Sequence, residues 1–301
     1  MALALLAIVA LPNSTLASSL PAAPNCPVFP ASNVWNKRVD ALPVRADSAT
    51  LMRSIGLNAY LHPDFSSLAW NGGKGYGIPY NVVGSSAAKY TVKFQYAGQS
   101  DPGPYPIPSN PKIEGGSDRH LIVVDKSACK LYELFAVSRT STGAWKAGSG
   151  AIWSLTSNAL RPKGWTSADA AGLPILPGLA RYDEVAAGLI NHALRFTAPT
   201  TRRAYVYPAR HFASDDTSTA LPPMGLRLRL KASVDISGFG PQSKVILTAL
   251  KRYGMLLADN GSALYVTGAP NANWDDDDLH GLQQLHGSDF EVVDTSTLRN
   301  G

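Results

Sequence analysis

Apolar and polar positions alternate in short stretches along this chain, and most stretches end at Gly, Pro or Asn. Tyr90 to Tyr96 (YTVKFQY) alternates cleanly. His120 to Val124 (HLIVV) and Leu131 to Val137 (LYELFAV) flank a polar turn at Lys126 to Cys129. The pattern predicts a hairpin, with Asp125 opposite Lys130 and Ile122 opposite Glu133. Further strands are expected at Leu189 to Thr197, Ala204 to Tyr207, Leu226 to Val234 and Ser262 to Thr267.

Helical spacing is rarer. Asp47 to Ile55 places Leu51, Met52 and Ile55 on one face and stops at Gly56. Pro241 to Tyr253 starts on a proline suited to a first helical turn. It carries Val245, Ile246, Ala249, Leu250 and Tyr253 as a stripe, and Gly254 ends it. A third helix is expected over Asp276 to Leu285. Many short strands and two or three short helices predict a mostly β protein, a single-domain β-sandwich or jelly roll.

The N-terminus changes the picture. Ala2 to Leu11 is an apolar run, broken by Pro12 and Asn13 and followed by Thr15-Leu16-Ala17. A stretch of about 10 residues is too short to span a bilayer and reads as a signal peptide. The expected organisation is a signal over 1–17, an extended surface segment over 18–30 and one β-rich domain over 31–301. The mature protein is expected to be secreted, monomeric and free of membrane contact.

Composition adds limits. Charged residues make up 16% of the chain, with 26 Gly and 22 Pro. This suits strands and ordered loops better than a helical bundle. The net charge of +5 comes without a Lys/Arg block, so no nucleic-acid partner is expected. Cys26 and Cys129 are the two cysteines. In an exported chain they are expected to form a disulfide.

The phrases CPVFPASNVWN, SDPGPYPIP, GWTSADAAGLPILPGLARYDEV, INHALRF and LPPMGLRLRLKAS resemble those of a family of secreted bacterial and fungal proteins. The resemblance spans nearly all of the mature chain. It implies export and a single domain, and it brings no site residues with it. G-x-S-x-G, H-E-x-x-H and P-loop signatures are absent.

Candidate chemistry centres on Asp118, His120 and Glu133. Side chains on a strand alternate between faces, so the hairpin register puts His120 and Glu133 on one face with Asp118 at its mouth. A partly desolvated carboxyl beside another ionisable group suits acid/base work. Equally, Glu133 could face water. Asp169, in the small-residue loop after Trp165, is a second carboxyl candidate, or a local backbone cap. His192 is either a catalyst or a core histidine.

Arg195, Arg210, His211 and Tyr207, with Trp165, would suit an acidic sugar, since arginine grips carboxylates bidentately. Arg227, Arg229 and Lys231 alternate with leucines to give a basic stripe about 14 Å long. Such a stripe needs a bound anion or an acidic neighbouring strand to offset it. Glu184 is expected to pair with Arg181. The histidines lack a tight ligand spacing, so no metal or other cofactor is expected. The acidic run at Asp275 and Asp276 suggests either a structural calcium or a helix N-terminus.

These features point to a polysaccharide-cleaving enzyme of glycoside-hydrolase type, led by Glu133 with Asp118 or Asp169 as partner. A polysaccharide lyase, with His192 or His211 removing a proton beside a uronate, is the alternative. A non-catalytic glycan-binding or wall-associated module is the third reading.

Overall fold

A computed structural model describes residues 18–68 and 75–298. The expected signal peptide lies outside them. Among the described residues strands outnumber helices, and the protein is mostly β. No helix of the described residues is long and apolar enough to cross a membrane.

Two sheets carry the fold. One has four strands in the order Ser149–Ser154, Lys130–Phe135, Leu121–Asp125, Tyr80–Val83. The other has six, in the order Phe290–Val292, Arg227–Leu230, Met255–Asn260, Leu194–Ala198, Tyr265–Thr267, His62–Asp64. Several pairings are parallel, including Leu194–Ala198 with Met255–Asn260. A jelly roll is antiparallel throughout, so the expectation holds as a mostly β fold and not in that strand order.

The expected hairpin forms with the expected register: Ile122 opposite Glu133 and Asp125 opposite Lys130. The strand Leu121–Asp125 is buried on both faces. Ile122 and Val124 join one apolar cluster, Leu121 and Val123 another. Burial on both sides explains why this segment reads as a continuous apolar run rather than an alternation.

A short helix at Tyr182–Ala186 was not expected, while the three expected helices form at Ser48–Ile55, Pro241–Arg252 and Asp276–His280. The last continues as a 3-10 turn over Gly281–Gln284. The other expected strands are shorter or broken: Leu189 to Thr197 forms only from Leu194, Leu226 to Val234 only over Arg227–Leu230, and Ser262 to Thr267 only over Tyr265–Thr267. Tyr90 to Tyr96 divides into Lys89–Tyr90 and Val92–Phe94. Ala204 to Tyr207 forms only a bridge from Tyr205 to Met224. Pro208, next in the chain, has no N–H to extend a ladder.

Residues 18–30 depart from the expected surface segment. Ser19–Leu20 and Ala23–Pro27 pair as a small hairpin. Leu20, Ala23, Cys26, Val28 and Phe29 are buried against Ile122, Val124 and Leu131 of the four-stranded sheet. Cys26 and Cys129 are joined as a disulfide, their Cα atoms 5.2 Å apart and 103 positions apart in sequence. Closing so long a loop removes much freedom from the unfolded chain. Reduction is expected to cost about 2–4 kcal/mol, read as a lower midpoint in urea melts with reductant than without. An unchanged midpoint would show that the hairpin holds itself in place.

Candidate active site

The ends of the two sheets meet across the loop Thr166 to Gly172, and a pocket of about 320 Å³ opens there. Phe135 and Ser149 come from the four-stranded sheet and Asp259 from the six-stranded one. Asp169, Tyr96, Gln99 and His211 complete its polar and aromatic walls.

The loop is held by its own small residues. The Ser167 hydroxyl donates to the Leu173 carbonyl at 2.6 Å, and the Asp169 N–H donates to the Ser167 hydroxyl at 2.9 Å. Ala171 N–H bonds Ala258 O at 2.9 Å, fixing the loop beside Asp259. Gly172 has φ +69°, and a Cβ there would lie 2.5 Å from Trp165 O. Only glycine tolerates that close approach. Arg161 clamps the outside, donating to Asp101 Oδ2 (2.6 Å), Thr166 O (2.6 Å) and Gln99 O (2.8 Å). It thereby joins SDPGPYPIP to the TSADAAG loop.

The chemistry lies in two carboxyl groups. Asp169 is gripped bidentately by Arg195, with Nε to Oδ2 at 3.0 Å and Nη2 to Oδ1 at 2.8 Å. A third Arg195 nitrogen donates to the Thr267 hydroxyl. Asp259 stands beside this pair in the pocket wall, and its Oδ1 accepts from the Asn260 N–H at 2.7 Å. Burial first, and then the charge of Asp169, push the Asp259 carboxyl up to about 7. The arrangement opposes ionisation of Asp259 and sets it beside a carboxyl that an arginine holds in place. His211 Nδ1 donates to Ala170 O at 2.8 Å, which leaves Nε2 as the ring nitrogen available to the pocket.

Asp169 and His211 therefore stand in this site. Arg195 serves it from beneath, as the buried partner of Asp169 rather than a contact for substrate. Asp259 was missed. Its signal was a carboxyl ending the apolar run MLLAD, which by itself names no partner.

The other expected residues lie elsewhere. Glu133 shares a face with Ile122 as expected, yet its side chain has no exposed surface. Ile175 N–H donates to both its oxygens (3.0 and 2.9 Å) and Leu176 N–H to Oε1 (2.9 Å). It caps the 3-10 turn Leu176–Gly178 from across the core. A carboxyl sealed in this way meets no substrate, so Glu133 is not the acid/base group the sequence suggested.

His120 is also buried. Its Nδ1 faces Glu114, and its Nε2 donates to Ala168 O at 3.0 Å, supporting the pocket loop from behind. Burial pulls His120 down, but the Glu114 carboxylate more than compensates and raises it. Asp118 is exposed, with Ser117 as its side-chain partner, and does not line the pocket.

His192 is a core histidine. Its ring nitrogens face Glu184 Oε2 (2.9 Å) and Ala193 O (2.8 Å). Glu184 also pairs with Arg181 at 2.7 Å and accepts from Ser18 at 2.6 Å. Burial pushes Glu184 up, but His192 and Arg181 outweigh it and hold the carboxyl at about 2.

The basic stripe is internal scaffolding. Arg227 is buried and donates to Val34 O, Lys37 O and Tyr253 O. Arg229 pairs with Glu291 on the adjacent strand, and Lys231 donates to Ser288 O. Arg210 donates to Arg161 O, Tyr207 packs against the main core and Trp165 lies under the Arg161 guanidinium. None of the three lines the pocket. The acidic run gives helix caps in place of a calcium site. Asp275 accepts from Asp277 and Asp278 N–H, and Asp276 from Ser67. Their oxygens converge on backbone donors and a hydroxyl, not on a common centre.

The buried carboxyls set the pH response. Glu133 is pushed up to about 7 by burial, against the pull of the Ile175 and Leu176 amides. An acid raised on folding binds more protons folded than unfolded, so its contribution falls as pH rises from about 4 to 7. Glu133 and Asp259 both act in this sense. Glu184, lowered to about 2, acts oppositely, and its contribution is lost as pH falls below about 4.5. Stability is expected to peak near pH 4–5, with a higher midpoint in thermal melts at pH 5 than at pH 8.

Two variants divide the roles of Glu133. Glu133→Gln keeps an acceptor for the two amides and removes the ionisation, so it is expected to flatten that decline and leave the catalytic rate unchanged. Glu133→Leu leaves two buried N–H groups unmet and is expected to cost about 1–3 kcal/mol. A rate loss in a stable Glu133→Gln protein would return Glu133 to the chemistry.

Compared with family models, curated proteins and solved structures, the chain matches none.

Proposed function

We propose that this protein is a secreted glycan-cleaving enzyme that works through one carboxylic acid, Asp259. The observation that carries the reading is the place of Asp259, a carboxyl raised by burial, in the wall of an open pocket beside the Asp169–Arg195 pair. Retaining glycosidases set two carboxyls about 5–5.5 Å apart, and inverting ones set them about 6.5–9.5 Å apart. Asp169 is tied up in its bidentate pair with Arg195 and is not free to act as the second carboxyl. Asp259 therefore acts as the acid, and the charge of Asp169 opposes its ionisation.

In this reading Asp259 gives its proton to the glycosidic oxygen as the bond from the anomeric carbon breaks. Water adds to that carbon, and its proton passes to His211 Nε2. Tyr96 and Phe135 offer ring surface to sugar faces, and Gln99 and Ser149 offer hydrogen bonds. The apolar N-terminal run read as an export signal and the Cys26–Cys129 disulfide support a substrate met outside the cell.

A lyase uses the same groups differently. His211 would remove a carbon-bound proton beside a uronate carboxylate while Asp259 protonates the leaving oxygen. The free Nε2 of His211 favours keeping this second reading.

The test is a panel of neutral and acidic polysaccharides, followed for new reducing ends and for ultraviolet-absorbing unsaturated ends, with Asp259→Asn alongside. Reducing ends without absorbance support hydrolysis, and absorbance supports elimination. Retention on a polysaccharide with no Asp259-dependent turnover would overturn both readings in favour of a binding module.

A further inference from the structure

The sheet beside the pocket carries an imbalance of charge. Trp145–Ala147 pairs in parallel with Val92–Phe94, in a register that sets Lys146 against Lys93. On its other side Ser138 lies opposite Lys146. Val92 and Trp145 are buried, so by alternation both lysines project from the opposite, exposed face. Neighbouring strands lie about 4.8 Å apart, and like charges directly opposite one another are unfavourable.

Elsewhere the protein offsets such a charge. Arg229 faces Glu291 across its own strand pair. Lys93 and Lys146 have no hydrogen-bond or ion-pair partner among the described residues.

The lysines border a cleft of about 460 Å³ that also touches Gln95, Ser138 and Gly148. This cleft and the acid pocket share a thin wall. The chain passes from one to the other at three places: Gln95 to Tyr96, Ala136 to Phe135, and Gly148 to Ser149. Tyr96 N–H bonds Gly148 O at 2.9 Å, and Gly148 N–H bonds Phe135 O at 2.7 Å, so the three crossings are stitched together. A Cβ on Gly148 would lie 2.6 Å from the Phe135 ring, so glycine there lets the ring lie directly against the wall.

We propose that this cleft is an anion subsite, and that the substrate is a linear glycan bearing carboxylate or sulfate groups. One sugar would lie at Asp259 and the chain would continue across Phe135, setting its anionic group between Lys93 and Lys146. Lysine acts as a compact charge without the fixed fork of arginine, so it receives either kind of anion. The proposal rests on the glycan-cleaving reading and supplies its substrate class.

The test measures binding of the full mature chain to polygalacturonate, chondroitin sulfate and a neutral β-glucan by affinity electrophoresis. The comparison is with the double variant Lys93→Gln/Lys146→Gln. Both lysines are exposed and unpaired, so the variant is expected to melt like the parent. The parent is expected to prefer an anionic polymer, with binding that weakens as salt screens the charges. The double variant is expected to lose tenfold or more of that affinity and to keep whatever affinity it has for the neutral glucan. The anionic polymer bound identifies the group as carboxylate or sulfate.

Equal binding of the anionic polymers by parent and double variant would overturn the subsite. So would a parent with no preference for an anionic over a neutral polymer. Asp259→Asn separates the two proposals. Lysine-dependent binding together with turnover that survives Asp259→Asn sinks the acid reading alone. Asp259-dependent cleavage with no lysine-dependent binding sinks the subsite alone.

Discussion

Asp259→Asn is expected to leave a folded protein that no longer cleaves its substrate. In the parent, burial and the neighbouring Asp169 charge raise the Asp259 carboxyl to about 7 and so oppose its ionisation. An asparagine keeps the shape and an oxygen for the Asn260 N–H that Asp259 accepts. It has no proton to release to a leaving oxygen. Loss of a general acid typically lowers rate by about 10²–10⁴, which initial rates on the active polysaccharide would read directly. Stability at pH 5 should be unchanged. At pH 8 the variant should be at least as stable as the parent, because it never has to ionise a buried group. The parent's rate should fall as pH rises through about 7, as the acid loses its proton. A variant retaining half of the parent rate, or a parent rate that climbs through that range, would remove Asp259 from the chemistry.

Arg195→Met is expected to be the most damaging single change to stability. Its guanidinium is buried and holds the buried Asp169 carboxylate by two hydrogen bonds. Removing one partner of such a pair leaves a charge with neither water nor counter-ion, at a cost of about 3–5 kcal/mol. Methionine preserves most of the volume, so the loss would report the charge rather than a cavity. Adding Asp169→Asn should recover part of it, because the stranded charge is then gone. Urea melts of the two single variants and the double variant measure this coupling. A cost below about 1 kcal/mol for Arg195→Met, or no recovery in the double variant, would contradict a pair that depends on charge.

Much of the local structure was legible in the sequence because short-range rules govern it. The hairpin register followed from a polar turn between two apolar runs, and Ile122 does face Glu133. The helix Pro241–Arg252 followed from a first-turn proline, an apolar stripe and a terminal glycine. The bond between Cys26 and Cys129 followed from two cysteines in a chain read as exported. Asp169 stood out because a carboxyl among Ala, Ser and Gly is unusual in a connector. The pairing of Glu184 with Arg181 was a matter of opposite charges three positions apart, Arg181 being the N-cap of the helix Tyr182–Ala186.

Exposure was not legible, and exposure separates a catalyst from a strut. Glu133 and Asp259 are both raised to about 7, each first of all by burial. Glu133 lies under the turn Leu176–Gly178, which enters from 42 positions away and satisfies its oxygens with backbone amides. Asp259 ends a strand at the edge of an open pocket. Its partner Asp169 is 90 positions earlier in the chain, and the two meet because Ala171 N–H bonds Ala258 O and because Arg195 lies on the neighbouring parallel strand. The alternation of side chains fixed which face each residue takes. Only the packing of the two sheets against the Thr166 to Gly172 loop decided which of those faces water still reaches, because solvent access depends on segments far apart in sequence and not on local pattern.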